Sequence, residues 1–190
     1  MPSSGNVDEL TALALAAGAG DRAALDTFVR TTQREVWRLV AHLASVRVAD
    51  DLTQETYLCA IPALARFAAR STARTWLLAI ARHVVVDHIR ALQRRPRTSG
   101  SVDWTEAADQ RQAAAHATTA GFEDVVELNL LLDQLDPERR EALVLTQVLG
   151  LSYLEAADIC ECPVGTIRSR VARGRDDLLR ADEQRRNNTG

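Results

Sequence analysis

An all-α protein, built as two small helical domains joined by a flexible linker, is predicted by three observations. Apolar residues recur at helical spacing through nearly every segment, no run alternates as a strand would, and a stretch poor in large apolar residues interrupts the pattern near the middle. With 190 residues, 46% of them hydrophobic and 26% charged, the composition excludes a collagen, a low-complexity polymer and a disulfide-stapled miniprotein. Cys59, Cys160 and Cys162 make an odd set that implies no disulfide framework, so a reducing cytoplasm is the expected location. The N-terminal residues lack a basic start, and the apolar stretch at residues 10–17 is too short to span a bilayer or direct secretion. No membrane association is expected.

Residues 8–18 read as a first helix ended near Gly18 and Gly20, and Asp21 as the N-cap of a second that carries Leu25, Phe28, Val29, Val36, Trp37, Val40 and Leu43. A third begins at Asp50 or Asp51 and runs through Leu52, Tyr57, Leu58 and Ile61 towards Pro62. A fourth spans about Thr72 to Leu92 with Trp76, Leu77, Ile80, Val84 and Ile89 inward, and the four together make a compact bundle over residues 1–95. Residues 96–121 read as the linker: Arg, Gln, Ala, Ser and Thr predominate, and Pro96, Gly100 and Gly121 act as breakers. Within it Ala113, Ala114 and Ala115 suit a transient helix, and Trp104 stands alone.

The second domain is expected over residues 122–186, with 187–190 as a tail. Its pattern resumes through Leu128, Leu131, Leu132 and Leu135. Asp136-Pro137-Glu138 is a helix start with Asp as N-cap and Pro at the first helical position, and that helix should run to Gly150. Ser152 and Glu155 form a capping box for a short helix ending near Cys160, and a longer helix follows from Val164 to about Arg180. Short helix, tight turn and longer helix is helix-turn-helix spacing. Projected at about 100° per residue, Ile167, Val171, Gly174 and Leu178 fall on the packing side. Gly165, Thr166, Ser169, Ala172 and Arg173 form the opposite, small-residue face suited to a major groove, flanked by Arg168 and Arg175 on one side and Arg170 on the other.

Charge is segregated along the chain. All 23 basic residues are arginine, and the formal net charge is −3. Residues 66–97 nevertheless carry eight Arg against one acid, Asp87, while residues 98–161 carry three Arg against thirteen acids, and residues 162–175 carry four Arg and no acid. One basic block alone is usually a solvated face, but two, each on a helix and separated by an acidic segment, resemble two phosphate-binding surfaces on one acidic body. Acidic surroundings repel duplex elsewhere, so the free protein should bind DNA poorly.

Three sequence blocks stand in order: Asp50-Asp51-Leu52-Thr53-Gln54-Glu55-Thr56-Tyr57-Leu58, Thr75-Trp76-Leu77-Leu78-Ala79-Ile80-Ala81-Arg82, and Cys162-Pro163-Val164-Gly165-Thr166-Ile167-Arg168-Ser169-Arg170. Together they resemble the extracytoplasmic-function branch of the sigma-70 family of RNA polymerase sigma factors, most of all the actinobacterial sigma C group, over residues 10–95 and 122–182. The resemblance implies a non-catalytic initiation subunit with a sigma-2 domain, a linker threading the polymerase and a sigma-4 domain. Its partners would be promoter DNA and core RNA polymerase, through the clamp coiled coil of the largest subunit and the flap of the second-largest. The family's pattern also leaves room for an anti-sigma factor.

Carried over residue by residue, the resemblance places Asp51, Gln54 and Glu55, with Asp50 and Leu52 beside them, on the polymerase clamp. Simple helix N-capping is the alternative role for Asp50 and Asp51. It places Phe67, Arg70, Ser71, Arg74, Trp76, Arg82, His83, Asp87 and Arg90 on the melted minus-ten strand, where a cationic track, a base pocket and a stacking surface are needed. Phe67 and Trp76 also suit a partly core position, and His83 an ordinary exposed one. Ala68, Ala69 and Arg70 stand where many relatives have Gly and Asp, so the base preferred there does not transfer. For duplex minus-thirty-five DNA the expected base contacts are Arg168, Ser169 and Arg173, with Thr166 and Arg170 mainly on phosphate.

No cofactor or metal is expected. Cys160 and Cys162, with no second pair and only distant His116, fall short of a four-ligand zinc site. Cys162 reads better as the N-cap before Pro163, and Cys160 and Cys59 as packing residues; a redox role for the pair stays open. His42, His83, His88 and His116 join no Ser or Cys nucleophile at a recognisable spacing, so an enzyme is not expected. The rival reading is a stand-alone helix-turn-helix regulator with an N-terminal dimerisation or sensing bundle, which explains the second basic block and not the first. A helical interaction adaptor explains neither.

Overall fold

The computed structural model describes residues 4–94 and 119–188, and every regular element among them is helical. The described residues group into two compact units, one of residues 4–40 with 48–94 and the other of residues 41–47 with 119–188. Trp104 and Ala113 to Ala115 lie outside the described residues.

In the first unit α1 covers Ser4–Gly18, α3 Ala49–Leu64 and α4 Ala73–Arg94, and α2, Arg22–Leu43, belongs to it as far as Val40. Gly20 turns the chain between α1 and α2 at φ +100°, a backbone that only glycine adopts without strain. Asp21 then caps α2, its Oδ1 accepting from the Ala23 and Ala24 amides at 2.9 and 3.1 Å. Helices α1, α3 and α4 pack on one another. Phe28, Val36, Leu39 and Val40 of α2, Leu52, Tyr57 and Leu64 of α3, and Leu77, Leu78, Val84 and Val85 of α4 are buried. The Tyr57 hydroxyl lies 2.7 Å from Thr32 Oγ1, and burial pushes its pKa up to about 12. Within this core the approach of α1 to α3 is close enough that a Cβ on Gly18 would lie 2.4 Å from the Leu64 carbonyl oxygen.

Several expectations for this unit are corrected. Helix α3 starts one residue before Asp50, after a 3₁₀ turn at Val46–Val48, and no side chain caps it. Asp50 and Asp51 therefore sit in its first turn, where carboxylates complement the helix dipole without serving as N-cap. Ile89 points outward, 36% exposed, and Trp76 and Ile80 are half-buried, because the inward stripe of α4 runs through Leu77, Ala81, Val84 and Val85. Leu58, Cys59 and Ile61 are exposed on α3, so Cys59 does not pack.

In the second unit α5 covers Thr119–Leu132, α6 Pro137–Leu143, α7 Tyr153–Cys160 and α8 Val164–Asn188. Gly121 lies inside α5 and breaks nothing. Helix α6 starts as its sequence dictates, with Asp136 Oδ1 accepting from the Glu138 amide at 3.0 Å, but it does not stay α-helical to Gly150. It passes at Val144–Val148 into a π turn whose residues Val144, Leu145 and Thr146 are buried. The Ser152–Glu155 capping box forms in full, with Ser152 N to Glu155 Oε2 at 2.8 Å and Glu155 N to Ser152 Oγ at 3.2 Å. Asn129 Nδ2 donates to the Ala41 carbonyl at 2.9 Å and its Oδ1 lies 2.8 Å from His42 Nδ1, which pairs the carbonyl and one ring nitrogen within this unit.

Candidate polymerase and nucleic-acid interfaces

On α3 the residues at i, i+3, i+4 and i+7 from Asp51 share one face, and Asp51, Gln54, Glu55 and Leu58 are all exposed there. Asp50 is exposed too, but its Oδ1 accepts a hydrogen bond from Trp37 Nε1 at 2.8 Å. Leu52 is 2% exposed and faces the core, so it lies behind this exposed face rather than on it. Leu58, 74% exposed, and Ile61 extend the acidic, amide-bearing face with apolar surface. Reading by function type passed over both, although their i+4 and i+7 spacing from Gln54 was a usable signal.

The loop between α3 and α4 turns at Ala69, which holds φ +50° in the left-handed region without being glycine. Phe67 and Trp76 lean on each other with ring centroids 5.0 Å apart and planes at 43°, and both are half-buried. They brace the loop as a pair. Arg70 is exposed and Ser71 half-buried. Thr72 immediately precedes α4 and caps it, its Oγ1 accepting from the Thr75 amide at 3.1 Å. Arg74 is engaged with Glu35 of α2, its Nε lying 2.9 and 3.1 Å from the two carboxylate oxygens, so this arginine ties two helices together. Further along α4, His83, Asp87, Arg90 and Arg94 recur on one exposed face, with His83 Nδ1 2.8 Å from the Ala79 carbonyl and Arg90 3.5 Å from Asp87. Arg82 is half-buried beside them.

Helix α8 is seated by the expected stripe. Ile167, Val171 and Gly174 are buried, α8 packs on α6 and α7, and a Cβ on Gly174 would fall 2.8 Å from Leu143 Cδ1. Gly174→Ala should therefore lower stability by about 1–3 kcal/mol, read by chemical denaturation, because the Leu143 side chain has to give way. Glu161 reverses the chain between α7 and α8 at φ +52°, and the Cys162 amide bonds back to the Ala157 carbonyl at 3.1 Å. Cys162 is thus not the N-cap: Pro163 directly precedes the helix, and the Cys162 thiol instead lies 3.8 Å from Arg170 Nη1.

Opposite the buried stripe, Gly165, Ser169, Ala172 and Arg173 are exposed, Arg168 is exposed on the flank, and Thr166 is half-buried. Ser169 Oγ donates to the Thr166 carbonyl at 2.9 Å. Arg170 is turned towards α6, where its Nη2 meets Glu138 Oε2, and Arg175 bonds Gln147 Oε1. Among the described residues, no group of three or more His, Cys, Asp or Glu is arranged to hold a metal ion.

Comparison with known proteins shows the family of the chain. The sigma-70 region 2 family model matches residues 28–95, and the sigma-70 region 4 model matches residues 126–178. The chain is 56% identical over 180 residues to the extracytoplasmic-function RNA polymerase sigma factor SigC of Mycobacterium tuberculosis, covering 94% of this chain and 95% of that protein. It is 34% identical to the sigma-E factor of Escherichia coli, covering 84% and 86% of the two chains. Among solved structures, the sigma factor RpoE of Bartonella quintana, in complex with the anti-sigma factor NepR, superposes with a TM-score of 0.62 at 24% identity, over 82% of this chain and 94% of that one. CnrH, in complex with the cytosolic domain of CnrY, gives 0.71 at 22% identity, over 93% and 98%. These two likenesses bear on the fold. A stand-alone regulator would leave the region 2 match over residues 28–95 without a role. Two sigma-70 regions in their proper order, together with relatives aligned over nearly the whole chain, place this protein in the extracytoplasmic-function branch of the sigma-70 family, as a promoter-directing sigma factor of bacterial RNA polymerase.

Proposed function

We propose that three exposed faces divide the work of initiation. The α3 face of Asp51, Gln54 and Glu55, extended by Leu58, docks on the clamp coiled coil of core polymerase, with Asp50 held beside it by Trp37. The loop at Arg70 and Ser71 and the α4 face of His83, Asp87 and Arg90 meet the melted minus-ten strand, while Phe67, Trp76 and Arg74 hold that loop and helix in shape and Arg82 lines their edge. The outer face of α8 reads minus-thirty-five duplex through Arg168, Ser169 and Arg173, with Thr166 and Arg170 at the phosphates. The domain limits that go with this division are residues 1–95 and 122–186.

The observation that carries the reading is α8 itself: one side is sealed against α6 and α7 by Ile167, Val171 and Gly174, and the other presents small residues between two outward arginines. A helix so mounted enters a major groove without obstruction. Arg168→Ala and Arg173→Ala should each cost about 1–3 kcal/mol of duplex affinity and lower run-off transcription by the reconstituted holoenzyme. Undiminished transcripts from both folded variants would refute the assignment.

The protein itself performs no catalysis in this scheme, and its place is the cytoplasm, where core polymerase works. No helix of the described residues is long and apolar enough to cross a membrane. The flap of the second-largest polymerase subunit is the partner proposed for the region around α6 to α8. A proteinaceous inhibitor is proposed as a further partner: the Bartonella neighbour was captured with one, and exposed Leu58, Leu92 and Leu154 offer apolar surface here.

A further inference from the structure

Arg170 stands on the flank of α8 from which a phosphate contact is made, yet its guanidinium is already occupied. Nη2 lies 2.5 Å from Glu138 Oε2 in the first turn of α6, and Nη1 lies 3.8 Å from the Cys162 thiol. The two partners differ sharply in exposure. Arg170 is 19% exposed and folded down against the domain, whereas Glu138 is 66% exposed and bathed in solvent. A pair with one wet partner is screened and holds weakly, so a stronger anion can take the guanidinium over. Arg168 and Arg173, by contrast, reach outward and make no ion pair among the described residues. Of the four arginines in residues 162–175, Arg168 and Arg173 are on offer, Arg175 is bonded to the Gln147 amide, and Arg170 is the one held by a carboxylate among the described residues.

We infer that Glu138 is an electrostatic latch on the DNA-binding helix: its carboxylate occupies Arg170 in the free protein, stands in for a phosphate, and must be displaced before Arg170 grips the backbone. Rejection of non-specific duplex is the consequence. Bulk net charge is a diffuse restraint that salt screens over about a Debye length, whereas this pair suppresses one particular phosphate contact at contact range. Glu138 acts through Arg170 and is a positioning residue, without contact to DNA of its own. The inference rests on the reading of α8 as the recognition helix.

The test measures binding of the full chain to a 40-base-pair duplex of mixed sequence by fluorescence anisotropy from about 50 to 200 mM KCl. Each phosphate contact contributes about 0.9 to the slope of log affinity against log salt. Glu138→Gln should bind more tightly at low salt and steepen that slope by about 0.9, an additional three- to fourfold loss across the range. Glu138→Gln combined with Arg170→Ala should return to the parent slope, and Glu138→Asp should stay near the parent. Parental or weaker binding by Glu138→Gln overturns the latch. So does a steepened slope that survives in the double variant, since the gain would then come from the lost negative charge and not from Arg170. Arg168→Ala and Arg173→Ala separate the two readings: if both bind as the parent does, the recognition-helix assignment falls, and if both weaken while Glu138→Gln changes nothing, only the latch falls.

Discussion

Gly18→Ala is expected to destabilise the first unit by about 2–3 kcal/mol and to lower its melting temperature by roughly 10–20 °C. A methyl group there would lie 2.4 Å from the Leu64 carbonyl oxygen and 3.0 Å from its carbon. Both atoms belong to the backbone at the end of α3, so no rotamer change relieves the clash; α1 has to move off α3 as a body. The gain of about 1 kcal/mol that alanine ordinarily brings to a helix is smaller than this cost. Thermal melting by circular dichroism checks it, and a variant melting within a few degrees of the parent would show that α1 shifts freely. The same substitution should lower activity in step with the folded fraction, because Leu64 ends the helix whose other side carries the proposed docking face.

Replacing Gln54 and Glu55 together with alanine should abolish holoenzyme assembly in a pull-down with core polymerase. Both side chains are exposed, and alanine is a better helix former than either, so the fold should survive. Interface anchors of this kind are each worth about 2 kcal/mol, so losing two corresponds to roughly a thousandfold in affinity. Under the proposed docking, the acidic first turn of α3, with Asp50 and Asp51, would complement a basic partner helix and steer the encounter. Normal co-elution of the folded double variant with core polymerase would put the docking face elsewhere.

Features governed by neighbours a few residues away were readable in advance. Asp21, Asp136 and the Ser152–Glu155 pair cap their helices as their spacing requires, since an N-cap needs only a short acceptor side chain and the two or three amides that follow it. The packing stripe of α8 was equally legible, because a period of about 3.6 residues is enough to separate its sides. The orientation of α3 was less so. Leu52 and Leu58 have the same side chain, and only the positions of α1 and α4 send one inward and the other to solvent. Arg74 and Arg170 looked like free cations, but each meets an acid 39 or 32 residues away that no local pattern identifies.

The chain's one-dimensional order determined the helical class, the two basic blocks and the kinship to sigma factors, since periodicity, charge and short motifs are properties of neighbouring residues. Tertiary structure alone decided which arginines are offered and which are held, where α6 relaxes into a π turn, and that Gly18 and Gly174 must stay bare. Those outcomes depend on distances between segments far apart in sequence, and such distances exist only once the helices have packed.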